Sequence, residues 1–165
     1  MAIENIAQVL RGQEVFIEGV GFIGKLQKVE LPKVEFAVAE AANGCPVDTG
    51  LLEKLEAQIE VAEHNPVLFQ SVGKRLGETA SVVVKKLTDG GGKGNRVLLE
   101  IGGWVKTQEF GDSKVKEIDT VGLSFTVLTY KLEIDGKTLY EIDTPNGICK
   151  IDGVDHYDAI RRATW

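Results

Sequence analysis

The sequence predicts a mainly β, antiparallel domain with one principal helix. Three observations carry that reading. Several stretches are β-branched or alternate apolar with polar residues, as in Ser81–Leu87 (SVVVKKL) and in Val121, Leu123, Phe125 and Val127. The 19 glycines, set against 4 prolines, fall between those stretches, where turns are needed. One segment only, around residues 64–77, has strong helix grammar. Asn65 suits an N-cap, Pro66 suits the first helical position, and Leu68, Val72 and Leu76 recur every four residues as one apolar stripe. A helix is expected at about 66–75, ended by Gly73 or Gly77.

The other elements follow in order. Ile6, Val9 and Leu10 share one side of a short helix over Ile3–Leu10. VFIEGVGFIGKLQKVELPKV reads as strand, turn, strand. Phe16, Phe22, Ile23, Leu26, Val29 and Leu31 are its apolar positions, and Gly19, Gly21 and Gly24 its turns. Pro32 holds Leu31 extended. Small residues fill Ala39–Gly50, read as an extended loop. Leu55, Ala57, Ile59 and Val61 then alternate with Glu56, Gln58 and Glu60, which is strand periodicity in a composition that also permits a helix. DGGGKGN is a turn, and RVLLEIGGWVKTQEF is a long strand with a bulge at Gly102-Gly103. The alternation from Val121 shifts phase after Val127. Asp135-Gly136 is a two-residue hairpin signal, TLYEID the returning strand, and VDHYDAIRRAT a short terminal helix. No second domain shows, so residues 1–165 are read as one.

Composition bounds the function. Hydrophobic content of 43% and charged content of 27% suit a folded domain. A net charge of −6 argues against gripping a phosphate backbone. No apolar run is long enough to cross a bilayer, and the start lacks a basic, apolar signal. Synthesis and folding in the cytoplasm, with no membrane anchor, are therefore expected.

Site chemistry is sparse. Cys45 and Cys149 make no disulfide framework, and with His64 and His156 they have no spacing for zinc. GGGKG fails as a phosphate loop, because Leu87 stands at its first glycine and Gly94 at its hydroxyl position. The repeated pairs Ile134-Asp135, Ile142-Asp143 and Ile151-Asp152 lack calcium-loop spacing and fit turns. No catalytic residue, cofactor or metal is expected. The alternatives are a structural subunit, a monomeric β-sandwich binding or adaptor module, and a carboxylate hydrolase if Asp135, Asp143 and Asp152 converge.

Those pairs belong to a longer pattern. Tyr130-Lys-Leu-Glu-Ile-Asp135-Gly136-Lys, then Tyr140-Glu141-Ile142-Asp143, Asn146-Gly147, Ile151-Asp152-Gly153-Val154-Asp155 and Arg161-Arg162, resembles the C-terminal signature of the major tail tube protein of contractile phage tails. R-type bacteriocins share this family. Upstream, Val15–Gly19 with Gly24, Leu31-Pro32-Lys33, and Pro46-Val47-Asp48 before Gly50-Leu51 resemble its first hairpin, second strand and later restart.

The resemblance implies an antiparallel β-sandwich or small barrel with a flanking α-helix (about 66–75), in homohexameric rings stacked into the inner tube of the virion tail, assembled in the bacterial host cytoplasm. One sheet from each subunit would line the lumen. It further implies a sheath around the tube, baseplate and tail terminator proteins at its ends, and a tape measure protein inside. In a phage, double-stranded DNA would pass non-specifically through an acidic lumen that repels phosphate. Contacts between rings or subunits are expected at Glu40, Ala41, Ala42, Asn43, Gly44, Cys45, Pro46, Val47 and Asp48. Arg161, Arg162 and Trp165 are expected to face the sheath or a neighbouring subunit. VLLEIGGWV and LSFTVLT carry few edge-protecting charges and suit a sheet shared between subunits. Cys45 and Cys149 either cross-link neighbours after release from the reducing cytoplasm or remain free thiols.

Overall fold

A computed structural model describes residues 7–21, 26–74, 78–90 and 93–164. In chain order it builds β1 (Val9–Ile17), β2 (Val20–Gly21), β3 (Leu26–Glu30), β4 (Phe36–Glu40), β5 (Pro46–Leu52), β6 (Leu55–Val61), α1 (Pro66–Val72), β7 (Ala80–Gly90), β8 (Lys93–Phe110), β9 (Val121–Ile134), β10 (Lys137–Asp143), β11 (Ile148–Ile151), β12 (Val154–Asp155) and α2 (Asp158–Thr164). Every described strand pairing is antiparallel, so the mainly antiparallel β class holds.

Ten strands form one branched sheet. Its main path runs β12-β11-β10-β9-β8-β7-β1-β2, with β6 joined to β9 and β3 joined to β6. The branch arises because β9 has two partners on one edge. Val121–Val127 pairs with β6, whereas Thr129–Ile134 pairs with β10. β8 runs along the opposite edge of β9 throughout.

Side-chain alternation turns this topology into a core. Ile17, Val82, Ile101, Tyr130, Ile142 and Cys149 are register partners across six strands, and all are buried. On the other arm of the branch, Leu55, Ala57, Ile59 and Val61 of β6 stand opposite Val127, Phe125, Leu123 and Val121, again all buried. Leu68 of α1 is fully buried in the same cluster. Each Val, Leu, Ile or Phe among them contributes roughly 1.5–3 kcal/mol on leaving water.

The phase shift in β9 has a visible cause. The register steps from Gly102 opposite Thr129 to Gly103 opposite Val127, so Leu128 is the extra residue of a β-bulge. Burial accordingly passes from Val127 to Tyr130. The expected bulge is at Gly102-Gly103, but the inserted residue lies on the facing strand. The two glycines allow close approach. A methyl at Gly103 would run into the carbonyl oxygen of Thr126, and one at Gly102 would meet the side-chain hydroxyl of Thr129 instead of backbone.

Other expectations divide. Asn65 caps α1 by accepting from the Val67 amide, and Gly73 ends the helix after Val72. Leu55–Val61 is a strand. Asp135-Gly136 turns with φ of 50° and 83°. By contrast, Val9 and Leu10 open β1 instead of closing a helix, because pairing with Asp89 and Thr88 outweighs a weak local periodicity. Ala7 and Gln8 precede β1 without helical structure, and Ile3–Ile6 of that expected helix, with Phe22, Ile23, Gly24, Leu76 and Gly77, lie outside the described residues. Ala39–Gly50 is not a loop but most of a hairpin, since Asn43-Gly44 supplies its turn. Val154-Asp155 is a strand, which leaves α2 only Asp158–Thr164. VLLEIGGWV and LSFTVLT lack edge charges because they are interior strands of this chain's own sheet, not strands waiting for a neighbour.

Gly103→Ala should lower unfolding free energy by roughly 3 kcal/mol, because rigid backbone faces the added methyl. Gly102→Ala should cost less, and Gly12→Ala, which meets nothing within 4 Å, should be neutral. Urea denaturation of the three variants checks that order.

Candidate assembly surfaces

The hairpin β4–β5 stands apart from the main sheet. Its turn is closed by Gly44 N–H to Ala41 O (2.8 Å) and Ala41 N–H to Cys45 O (2.9 Å). Gly44 takes φ of 81°, where a side chain would strain. Glu40, Ala41, Ala42, Asn43, Gly44, Cys45, Pro46, Val47 and Asp48 are all exposed, and the structure gathers them at the outer end of this arm. Direct pairing puts Val38 and Glu40 on one face with Asp48 and Pro46, and Ala39 with Val47 on the other. Val38 is 66% and Val47 47% exposed, so neither face is covered at the outer end. Residues 34–53 hold four carboxylates (Glu35, Glu40, Asp48, Glu53) and no Lys or Arg.

The base of the arm is held by the C-terminal segment. The Leu52 N–H donates to the Tyr157 hydroxyl (2.7 Å), and the Phe36 ring lies 6.0 Å from that of His156. Tyr157 is itself fixed through its N–H to Asp155 (3.0 Å). Arg161 completes the clamp, donating to Asp155 (2.8 Å), Asp158 (3.2 Å) and the Gly147 carbonyl (3.0 Å). The Arg161 hydrogen bond holds the Asp155 carboxyl below the usual carboxylate range, helped by the Tyr157 amide. Arg162 pairs with Asp158 at 3.0 Å and keeps 79% side-chain exposure. Trp165 lies outside the described residues.

The signature residues build this end of the sheet. Asp135 turns β9 into β10 and accepts from the Arg96 amide (2.8 Å). Asp143 accepts from Asn146 Nδ2 (2.7 Å) and shapes the turn ending at Gly147, whose φ is 64°. Asp152-Gly153 turns β11 into β12 with φ of 50° and 82°, and Asp152 pairs with Lys137 (3.1 Å). The three aspartates therefore sit on three separate turns, which removes the converging-carboxylate alternative. Ile142 is buried, Glu141 and Val154 exposed, and Tyr140 packs 6.0 Å from Tyr130, whose hydroxyl burial pushes up to about 12. Near β3, Leu31 is half-buried, Pro32 buried, and exposed Lys33 pairs with Glu35 (3.4 Å). Cys45 is exposed, Cys149 is buried, and both thiols are free.

The solvent face of the main sheet is charged. One transverse row runs Glu100, Lys131, Glu141 and Lys150 across β8 to β11, and Asp155, next in register on β12, is covered by the Arg161 clamp. Sequence reading missed this row because it exists only through register. It also missed Tyr157, 105 positions from its partner Leu52, and Glu18, which binds Lys74 (2.8 Å) and the Ser81 amide (2.8 Å). A further end surface joins His64, Phe69 and Phe110, with ring separations of 5.6 and 5.8 Å. The nearby turn exposes Val115 almost fully.

The fold is a mainly antiparallel β protein with a charged sheet face and an arm uncovered at its outer end. The comparisons with known proteins specify the class. The family model for phage tail tube protein FII matches residues 7–164, and the chain belongs to that family. It is also similar to the tail tube protein of Escherichia phage P2, at 27% identity over 162 residues, covering 93% of this chain and 94% of that protein. The chain is thus a structural, self-assembling tail tube protein of the virion tail, from a family that is generally non-enzymatic.

Two outcomes follow for the clamp. Tyr157→Phe should cost about 1 kcal/mol and speed amide exchange in β4–β5, with the core strands unchanged by hydrogen-exchange mass spectrometry. The folded pKa of Asp155 is depressed, so its pairing with Arg161 stabilises fully above the ordinary carboxylate range and is lost as pH falls through the folded pKa. Below that value α2 should loosen first in an acid titration followed by NMR, and Asp155→Asn should remove the acid-dependent step.

Proposed function

We propose that this protein is the subunit of the inner tube of a contractile tail. Six copies form a ring, rings stack into a tube, and the lumen is a channel for the genome. On sheath contraction the rigid tube is driven into the host envelope. In this reading residues 1–165 are one unit of the tube wall. The observation that carries it is the arm. A two-stranded hairpin is marginal by itself, and here both faces of its outer half are open. Residues 40–48 are therefore read as the contact with a neighbouring subunit or ring. Closed rings also protect strand edges that a lone sheet must defend.

The charged sheet face is read as the lumenal wall. Acids and lysines alternate there, with an acidic excess over the chain as a whole, which keeps double-stranded DNA from adhering. Arg162 is the exposed cation offered to a sheath or neighbouring subunit. Baseplate, tail terminator and tape measure proteins are the remaining partners. Assembly takes place in the bacterial cytoplasm.

Negative-stain imaging and sedimentation of the purified protein over a concentration series test this. Rings or tubes with a central channel are expected. A strict monomer at every concentration, also in the presence of the other tail proteins, would overturn it in favour of a monomeric β-sandwich adaptor.

A further inference from the structure

The inner face of the sheet is longer than its core. Beyond the buried row of Val15, Val84 and Leu99, the next row across β1, β7, β8 and β9 is Gln13, Lys86, Val97 and Ile134. One step further, Leu10 stands opposite Thr88. None of these six side chains is fully buried, although they continue the face that is sealed two residues away. They form a shelf on which the core simply stops.

Lys86 marks the shelf as unfinished. Its ammonium is partly buried, and that burial alone lowers its pKa. Among the described residues no carboxylate pairs with it, whereas Lys28, Lys74, Lys131 and Lys137 all have acidic partners. A half-desolvated cation beside Val97 and Ile134 needs an anion carried on an apolar surface. The same molecule presents one. The arm face with Val38 and Pro46 also carries Glu40 and Asp48, in a segment that has acids and no bases. Within one chain this face is open to solvent.

We propose that the acidic arm face of one copy seats on the shelf of a second copy, with Glu40 and Asp48 facing Lys86 and with Val38 and Pro46 covering Val97 and Ile134. This rests on the self-assembly reading above and adds the receiving surface. The fit is heterologous, arm to shelf, and so propagates around a ring or along a stack.

Charge reversal tests it in the intact chain. Lys86→Glu should raise the concentration needed for tube formation about tenfold or more, with an unchanged circular dichroism spectrum. The double change Glu40→Lys with Asp48→Lys should do the same, and combining all three should restore most of the assembly. Cross-linking gives a second readout. Cys45 is the exposed native thiol and Cys149 is buried. A bis-maleimide should therefore join Cys45 to a cysteine placed by Thr88→Cys, between heavy- and light-isotope chains mixed before assembly. If the wild type forms tubes and Lys86→Glu assembles equally well, or if the Cys45 link forms only within one chain, the arm-to-shelf contact is wrong while the tube reading stands. If the wild type forms no tubes, both fall.

Discussion

Close backbone approach at Gly103 is the constraint on which the rest of the structure depends. There β8 comes so near to Thr126 and Val127 that no side chain fits, and Leu128 is pushed out of register. The bulge lets β9 change partners along one edge, from β6 to β10. Without that change the β3–β6 layer and the β10–β12 layer would compete for the same hydrogen bonds. With it, one continuous sheet covers a single buried cluster and still leaves its other face charged. The bulge also sets which residues of β9 point inward, placing Tyr130 in the core and Lys131 in the exposed charged row.

Stability and assembly are thereby separated. The core rows are predominantly apolar and sealed. The surfaces left uncovered lie at the periphery, in the arm, the shelf and the sheet face. The arm is the weakest element, two strands anchored at one end by Tyr157, His156 and the Asp155–Arg161 pair. A tethered but uncovered hairpin can reach another chain without loosening the body from which it projects. The charged row is costly to bury and cheap to solvate, which suits a wall exposed to water.

Much of this was legible in the sequence, for physical reasons specific to each element. Asn65-Pro66 and Gly73 mark the ends of a helix through local hydrogen bonding, although packing of Leu68 on the core sustains it. Asp135-Gly136 and Asp152-Gly153 specify turns because their φ values suit those residue types. The β6 alternation survives because one face is buried and the other is wet. Other features depended on distant chain. Leu10 is a strand residue only because Thr88 is there to pair with it. The arm read as a loop because its small residues carry no alternation, its faces being equally open. Arg161 also holds Asp155, Asp158 and the Gly147 carbonyl within its own chain, and no local pattern announces that. The family signature worked differently, since Asp135, Asp143 and Asp152 are diagnostic together although each simply makes a turn.

The central claim is that one chain is incomplete until its arm lies on another copy. A cryo-electron microscopy map of the assembled particle at side-chain resolution addresses it directly. The account predicts closed rings in which residues 38–48 reach beyond their own subunit, from a base still held by Tyr157 and His156, and cover the Lys86 row of a neighbour, with the Glu100–Lys131–Glu141 row facing the channel. Arms folded back onto their own chain, with the Lys86 row open to water in the finished particle, would contradict it.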